Sequence, residues 1–462
     1  MNAETSATPD RYDAIIAGGG PAGATTALLM ARAGLRVCLL EKEQHPRFHI
    51  GESILPRTMP LLRELGLEDA MRRLPHVPKY GAEFAFGDSE RSLMFNFCDG
   101  LFPGDVVFNI ERSIYDQFLL SAAREAGAEV CERTTVKAIK RLEHDAVSVA
   151  VSGGGVDRTI DARLLMDCSG HGTIVGRHLG TRKNFDDPNL QKVAYFEHFD
   201  HVERPPGEAT GHPCIIMCEE GWFWLIGLNA TRTSVGFVTR PNFVKTLDVP
   251  PDRLLAWAVA RCPAVRHRMR NAVGQATNRV LADFSYRCRP YAGPGYFLVG
   301  DAGCFLDPIF STGATLAMMG AQAAAGQAVA MLRGQTTPQE ALHTYVKFVD
   351  DSTGIFWRMI RGYYHHSFRE LFMQGTGPLQ VHNAIISILA GQVFPRPVWA
   401  LRWRMWMFHA MVRAQKILPL VPRRKPFSLL ATLPVEVDFS PSDLRSTTVT
   451  YHLEPSLTAA GT

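Results

Sequence analysis

The chain has 462 residues, 46% hydrophobic and 20% charged, enough to bury a large core in two or three joined domains and unlike a disordered chain. A net charge of +4 is too small to mark a nucleic-acid binder. Nine cysteines without a repeated spacing read as reduced, buried thiols of a cytoplasmic protein, and Cys214 with Cys218 lacks the second pair that a metal site needs, so no metal is expected.

The N-terminal "MNAETSATPD" has neither the basic nor the apolar region of a signal peptide, and no uncharged apolar run approaches the ~18 residues that span a bilayer. Residues 11–43 then read strand, glycine turn, helix, glycine stop, strand: Ala14 to Ala17, Ala22 to Ala33, Gly34, and Val37 to Leu40. Gly18-x-Gly20-x-x-Gly23 falls between the first strand and the helix, where a dinucleotide pyrophosphate can approach the backbone and the helix N-terminus. Glu41 closes the second strand, where an acid receives ribose hydroxyls.

Two further strands end at "ARLLMDCSG" and "GYFLVGDAG", and an Ala-rich helix is predicted over 313–333. From about 183 to 275 the pattern alternates apolar and polar residues, as an antiparallel sheet would. Within it, "GWFWLIGL" places Trp222 and Trp224 on one face of a strand, where they serve as core or as a cofactor wall. From 336 onward the chain reads helical, with a loop-like tail.

Gly300, Asp301, Ala302 and Pro308 match the pattern GDAxxxxxP, and Arg112 in "NIERSIYDQFLLSAA" matches an arginine that contacts flavin. In these residues the chain resembles the FAD-dependent monooxygenase superfamily with the para-hydroxybenzoate hydroxylase-like fold. "HPRFHIGESILP", "PKYGAEF" and "DPIFSTGATLAM" narrow the resemblance, together with "GWFWLIGL" at the position of a WxWxIP signature. Across roughly residues 10 to 425 the chain is similar to flavin-dependent halogenases, in particular the branch acting on phenols and pyrroles.

The resemblance implies an α/β fold: a Rossmann-like FAD-binding βαβ domain, an antiparallel-sheet substrate domain and a C-terminal helical region. The FAD domain is expected over 10–182 and 276–335, with 46–105 partly serving the substrate side. The substrate domain is expected over 183–275, and the helical region with its tail over 336–462. The implied activity starts from FADH2, O2 and chloride or bromide. A flavin hydroperoxide oxidises halide to hypohalous acid, which halogenates a phenol or pyrrole, free or carrier-bound, in natural-product biosynthesis. With one dinucleotide fingerprint and no second for NADPH, a separate flavin reductase is expected.

Residue by residue, the resemblance assigns catalysis to Lys79, an amine able to donate hydrogen bonds to the oxidant or to become a haloamine. It assigns FAD contacts to Gly18, Gly20, Pro21, Ala22, Gly23, Glu41, Arg47, Ser53, Arg112, Asp301 and Pro308. Thr312 and Gly313, at the start of the Ala-rich helix, form the implied halide nest; plain helix capping is the simpler role for that segment. Trp222, Trp224 and Phe310 are the implied wall between flavin and substrate.

Two departures stand out. Gly227 replaces the signature proline, and Phe310 stands where tryptophan halogenases carry a glutamate, leaving Glu52 or Glu83 as alternative acids. A flavin monooxygenase that inserts oxygen is the competing enzyme. A membrane-surface reductase of the prenyl-reductase type is a third reading, carried by the aromatic and basic "VWALRWRMWMFHAMVRAQK"; a helix packed on the body of the protein, with snorkelling arginines, is the commoner source of such a stretch.

Overall fold

The computed structural model describes residues 11–88, 92–276, 278–282, 285–437 and 439; the expectations for the N-terminal ten residues and for the tail beyond 439 lie outside them. The first sheet has a parallel centre of Val37–Leu40, Tyr12–Ala17, Val156–Asp167 and Tyr296–Leu298, with Glu129–Cys131 outside Val37–Leu40. Helices pack on one face of this centre and the strands Thr134–Glu143 and Ala146–Gly153 on the other, which is why Ala14, Ile15 and Ile16 are all inaccessible.

Helix Pro21–Arg32 follows the first strand, with Pro21 in the turn where a missing N–H costs nothing. It packs on helices Gly313–Leu332 and Arg112–Glu125. Gly313–Leu332 is, among the described residues, the one helix long and apolar enough to cross a membrane, which the sequence reading did not anticipate. Its contacts with Pro21–Arg32 and Pro338–Tyr363 make it a core helix.

The second sheet runs Val273–Gly274, Val193–Asp200, Arg232–Thr239, Gly221–Gly227, Cys214–Met217, Gly81–Phe86 and Ser92–Asn96. It is antiparallel except where Cys214–Met217 meets Gly81–Phe86. Arg279–Ala282 also pairs with Val193–Asp200, so this sheet reaches past the 275 boundary read from the sequence, and it recruits strands from 81 to 96. The reason is register: strands distant in sequence share one apolar face, and only pairing reveals it. Helices Leu254–Arg261 and Pro263–Arg268 belong to the cluster on one face, and the face with both tryptophans joins the large core of the first sheet and the C-terminal helices.

Those helices are Pro338–Tyr363, His366–Phe372, Val381–Leu389 and Trp399–Ile417. The first opens with a capping box, Thr337 accepting from the Glu340 N–H while Glu340 accepts from the Thr337 N–H.

Candidate active site

The glycine turn is shaped for a phosphate chain. Gly18 sits at φ +106, and a Cβ there would lie 2.4 Å from the Cys168 carbonyl oxygen. A Cβ on Gly23 would lie 1.8 Å from Gly18 O, so only glycine lets helix and strand close. Gly20 caps helix Pro21–Arg32 with no side-chain bond, and no acid occupies the first turn, leaving N–H groups free for an anion. Buried Ala22 and Pro21 form that turn's floor. Glu41 accepts from Gly19 N at 2.6 Å and from Glu43 N at 2.9 Å, which fixes its carboxylate beside the turn.

Arg47 Nη1 is buried without a hydrogen-bond partner, 3.4 Å from Asp116. Arg112 makes a forked pair with Asp116 at 2.7 and 3.0 Å and donates to Ile50 O at 2.8 Å, pinning the 50–53 segment. Burial pushes the Asp301 carboxyl up to about 6, opposed by the Arg112 charge. The unfilled Arg47 donor and the open helix start fit a pyrophosphate, and Asp301 fits a ribityl chain. Pro308 opens the short turn Pro308–Phe310 beyond it.

Lys79 ends strand Val77–Lys79, which pairs with Val107–Asn109. It is 2% exposed, and its Nζ donates to Ser53 Oγ at 2.9 Å and to Ile54 O at 3.0 Å. The nitrogen lies 5.3 Å from the centre of the Phe97 ring. No carboxylate compensates it, so burial alone pulls its pKa down to about 7. Ser53, expected from the sequence to contact the cofactor, lies against the lysine. The next peptide continues the link: Leu55 N donates to Thr315 Oγ1 at 3.2 Å, one turn into helix Gly313–Leu332.

At the start of that helix Ser311 takes a left-handed conformation, φ 55, and Thr312 is the N-cap residue without a side-chain capping bond. A Cβ on Gly313 would meet nothing within 4 Å. The first-turn N–H groups therefore have no side-chain capping oxygen, which leaves donors an anion can use.

Trp222 and Trp224 project from the same sheet face with ring centroids 6.1 Å apart. Trp224 donates to Ser234 Oγ at 3.1 Å, and its ring covers Gly236, where a Cβ would lie 2.3 Å away. Trp222 donates to Tyr364 Oη at 3.2 Å, and Tyr364 donates to Asp307 Oδ2 at 2.7 Å. Asp307 Oδ1 accepts from Ile309 N at 3.0 Å, so one carboxylate ties the first tryptophan to the Pro308–Gly313 loop. Buried Phe310 in that loop meets Tyr363 edge-on at 5.8 Å.

The family model described as "FAD binding domain" matches residues 11–349. A 1H-pyrrole-2-carbonyl-[peptidyl-carrier protein] brominase of Pseudoalteromonas luteoviolacea is 31% identical over 309 residues, 66% of this chain and 74% of that protein. A tryptophan 2-halogenase of Chondromyces crocatus is 32% identical over 346 residues, 73% of this chain and 65% of that protein. The solved structure of the flavin-dependent brominase Bmp2 superposes with a TM-score of 0.79 at 26% identity, covering 88% of this chain and 99% of the other. The chain belongs to the flavin-dependent halogenases. It is an FAD-dependent oxidoreductase.

Two features of this halogenase come from tertiary contacts. Of the alternative acids, Glu83 is bonded to Arg268 at 3.0 Å on the sheet face away from the tryptophans. Glu52 instead meets His198 Nε2 through Oε1 at 2.8 Å, on the tryptophan face, while its Oε2 is buried without a partner. Burial alone lowers the His198 imidazolium; Glu52, with Glu111 beyond, outweighs it and the net shift is upward, against Arg232. His198 carried no signal in the sequence, because only the pairing of Val193–Asp200 with Arg232–Thr239 brings it to that face. Gly227 also has a close neighbour: a Cβ there would lie 2.1 Å from the Arg204 guanidinium.

Proposed function

We propose that the protein halogenates an electron-rich aromatic ring, a phenol or a pyrrole presented free or on a carrier, with the Lys79 amine as the group that delivers the halogen. The observation that carries this reading is the buried amine with no carboxylate partner and a pKa near neutrality. When bound, reduced FAD with oxygen supplies the two-electron oxidation of halide to hypohalous acid. The open N–H groups at Thr312 and Gly313 hold the halide, and Trp222 with Trp224 keeps the organic substrate away from the oxidising centre. Neutral Lys79 holds hypohalous acid by hydrogen bonding or takes the halogen as a haloamine, losing water; its two fixed acceptors orient the nitrogen. The free Glu52 Oε2 accepts the phenolic O–H or pyrrole N–H, with His198 fixing the other oxygen. The ring carbon then bonds to the halogen, the N–X or O–X bond breaks, and the ring proton leaves to the lysine nitrogen or the departing hydroxide.

Phe310 supports the substrate class, since it places no carboxylate at the halide loop to stabilise a cationic indole intermediate. A separate flavin reductase completes the system. The test is a panel of phenols, pyrroles, their carrier-type thioesters and free tryptophan, supplied with a flavin reductase and bromide. Brominated phenol or pyrrole is the expected main product, absent without halide. Hydroxylated product in the presence of bromide, or regioselective bromotryptophan as the main product, overturns the proposal.

A further inference from the structure

From Leu371 to Val435 the chain carries eight Lys or Arg residues and no Asp or Glu, leaving the rest of the chain net negative. Much of this charge lies on or beside helix Trp399–Ile417. One face of that helix is seated on the protein: Leu401, Met405, Phe408 and Val412 are buried, and Phe408 meets Phe368 edge-on at 5.0 Å. The opposite face carries Trp399, Arg402, Trp406, Arg413 and Ile417 at helical spacing. The two tryptophans are 75% and 71% exposed. Among the described residues, neither the Arg402 nor the Arg413 guanidinium has a hydrogen-bond or ion-pair partner, whereas those of Arg404 and Arg424 are tied to Leu379 O and Asp88. Two exposed indoles interleaved with two guanidinium groups free to meet an anion mark an interaction face.

The arrangement favours an acidic protein surface. Trp and Arg are the residues that dominate protein–protein hot spots. An interfacial membrane helix sinks its apolar face into lipid and keeps its basic residues on the other; here the apolar face is already covered by protein. The stripe also lies one helix layer outside the Lys79 pocket. Helix Val381–Leu389 packs on Trp399–Ile417, while His382 stacks on Phe95 with ring centroids 4.9 Å apart and Ser387 accepts from Phe102 N at 2.9 Å. Phe97, on that same segment, sits beneath the lysine nitrogen. Helices pack about 8–10 Å apart, so the stripe stands on the order of two such spacings from the amine.

We propose that this stripe is the docking face for an acidic carrier domain that presents the aromatic acyl group to Lys79 on a flexible arm. The proposal rests on the halogenase reading above and adds the surface and the charge of its partner. The test compares one aromatic acyl group, pyrrole-2-carbonyl, as the thioester of an acidic carrier domain and of pantetheine alone. Both are assayed with flavin reductase and bromide, for the parent and for Arg402→Glu/Arg413→Glu and Trp406→Ser. FAD content and circular dichroism verify that the variants fold.

The expected result is a KM for the carrier thioester raised tenfold or more in each variant, with kcat on pantetheine thioester within twofold of the parent. The parent's kcat/KM on the carrier form should fall steeply with salt, as for steered association. Equal effects on both thioesters, no effect on either, or a parent that turns over pantetheine thioester as well as the carrier form overturns the docking face. Sedimentation with phosphatidylserine vesicles is run alongside. Vesicle binding lost in the variants with carrier turnover unchanged assigns the stripe to a membrane and overturns the proposal. A parent that halogenates free phenol but neither thioester overturns docking and leaves the halogenase reading intact, whereas absence of any halogenated product removes both.

Discussion

A lysine buried without a counter-charge is unstable by construction. The Lys79 pKa of about 7, against an ordinary 10.5, means that below pH 7 the folded protein carries a desolvated ammonium costing on the order of 5 kcal/mol. Between about 7 and 10.5 the unfolded chain binds a proton that the folded chain does not, so this group makes stability rise with pH across that window. Lys79→Met should therefore raise the melting temperature at pH 6 to 7 and flatten its pH dependence, as read by thermal scans from pH 6 to 9. The same variant should bind FAD and release oxidised halide to a thiol trap, yet make no halogenated product. Product formation near the parental rate would remove Lys79 from the chemistry. In the parent, halogenation should rise through pH 7 as the amine loses its proton.

The Glu52–His198 pair makes a second, separable prediction. Glu52→Gln keeps the shape but removes the proton acceptor, so turnover of ordinary phenols should fall by about 10²–10⁴-fold. A phenol acidic enough to be ionised in solution should lose much less. Equal losses across phenols of different acidity would make Glu52 structural.

At the scale of elements, strand Gly221–Gly227 and the loop Pro308–Gly313 act as a unit, because Trp222, Tyr364 and Asp307 are joined by hydrogen bonds. Trp222→Ala removes an indole that is 2% exposed and should cost about 3–5 kcal/mol of stability. It should also open the wall, raising peroxide release or hydroxylated product at the expense of halogenated product. A folded variant with unchanged coupling would return the tryptophan to a packing role. Gly227 at the end of this strand lies against Arg204, which donates to Asn229 O and Ala230 O beside it.

At the scale of the whole molecule, one segment touches several parts of the candidate site. Residues 50–58 are held by Arg112, Lys79 and Thr315, so the glycine-turn side, the amine and the helix that follows the Ser-Thr-Gly loop share a single strip of backbone. The molecule shows one glycine fingerprint for a dinucleotide. Purified protein alone should therefore oxidise NADPH no faster than free flavin does, and halogenation should appear only when a flavin reductase is added. Rapid NADPH consumption by the protein alone, followed spectrophotometrically, would refute this.

The glycine turn was legible because Gly18 and Gly23 answer local steric demands, and periodicity sufficed for the flanking strand and helix. Lys79 and the Ser-Thr-Gly loop were legible as short patterns, although neither pattern shows that the amine is buried. Burial, and with it a pKa near neutrality, depends on Ser53, Ile54 and Phe97 converging from other segments. Glu52 could be named from the sequence but not chosen over Glu83. Both acids look alike in one dimension, and strand pairing alone sends one to Arg268 and the other to His198. The exposed tryptophans of helix Trp399–Ile417 show the same division. Composition fixes that the helix is aromatic and basic, while packing selects which face meets the protein and which is left exposed.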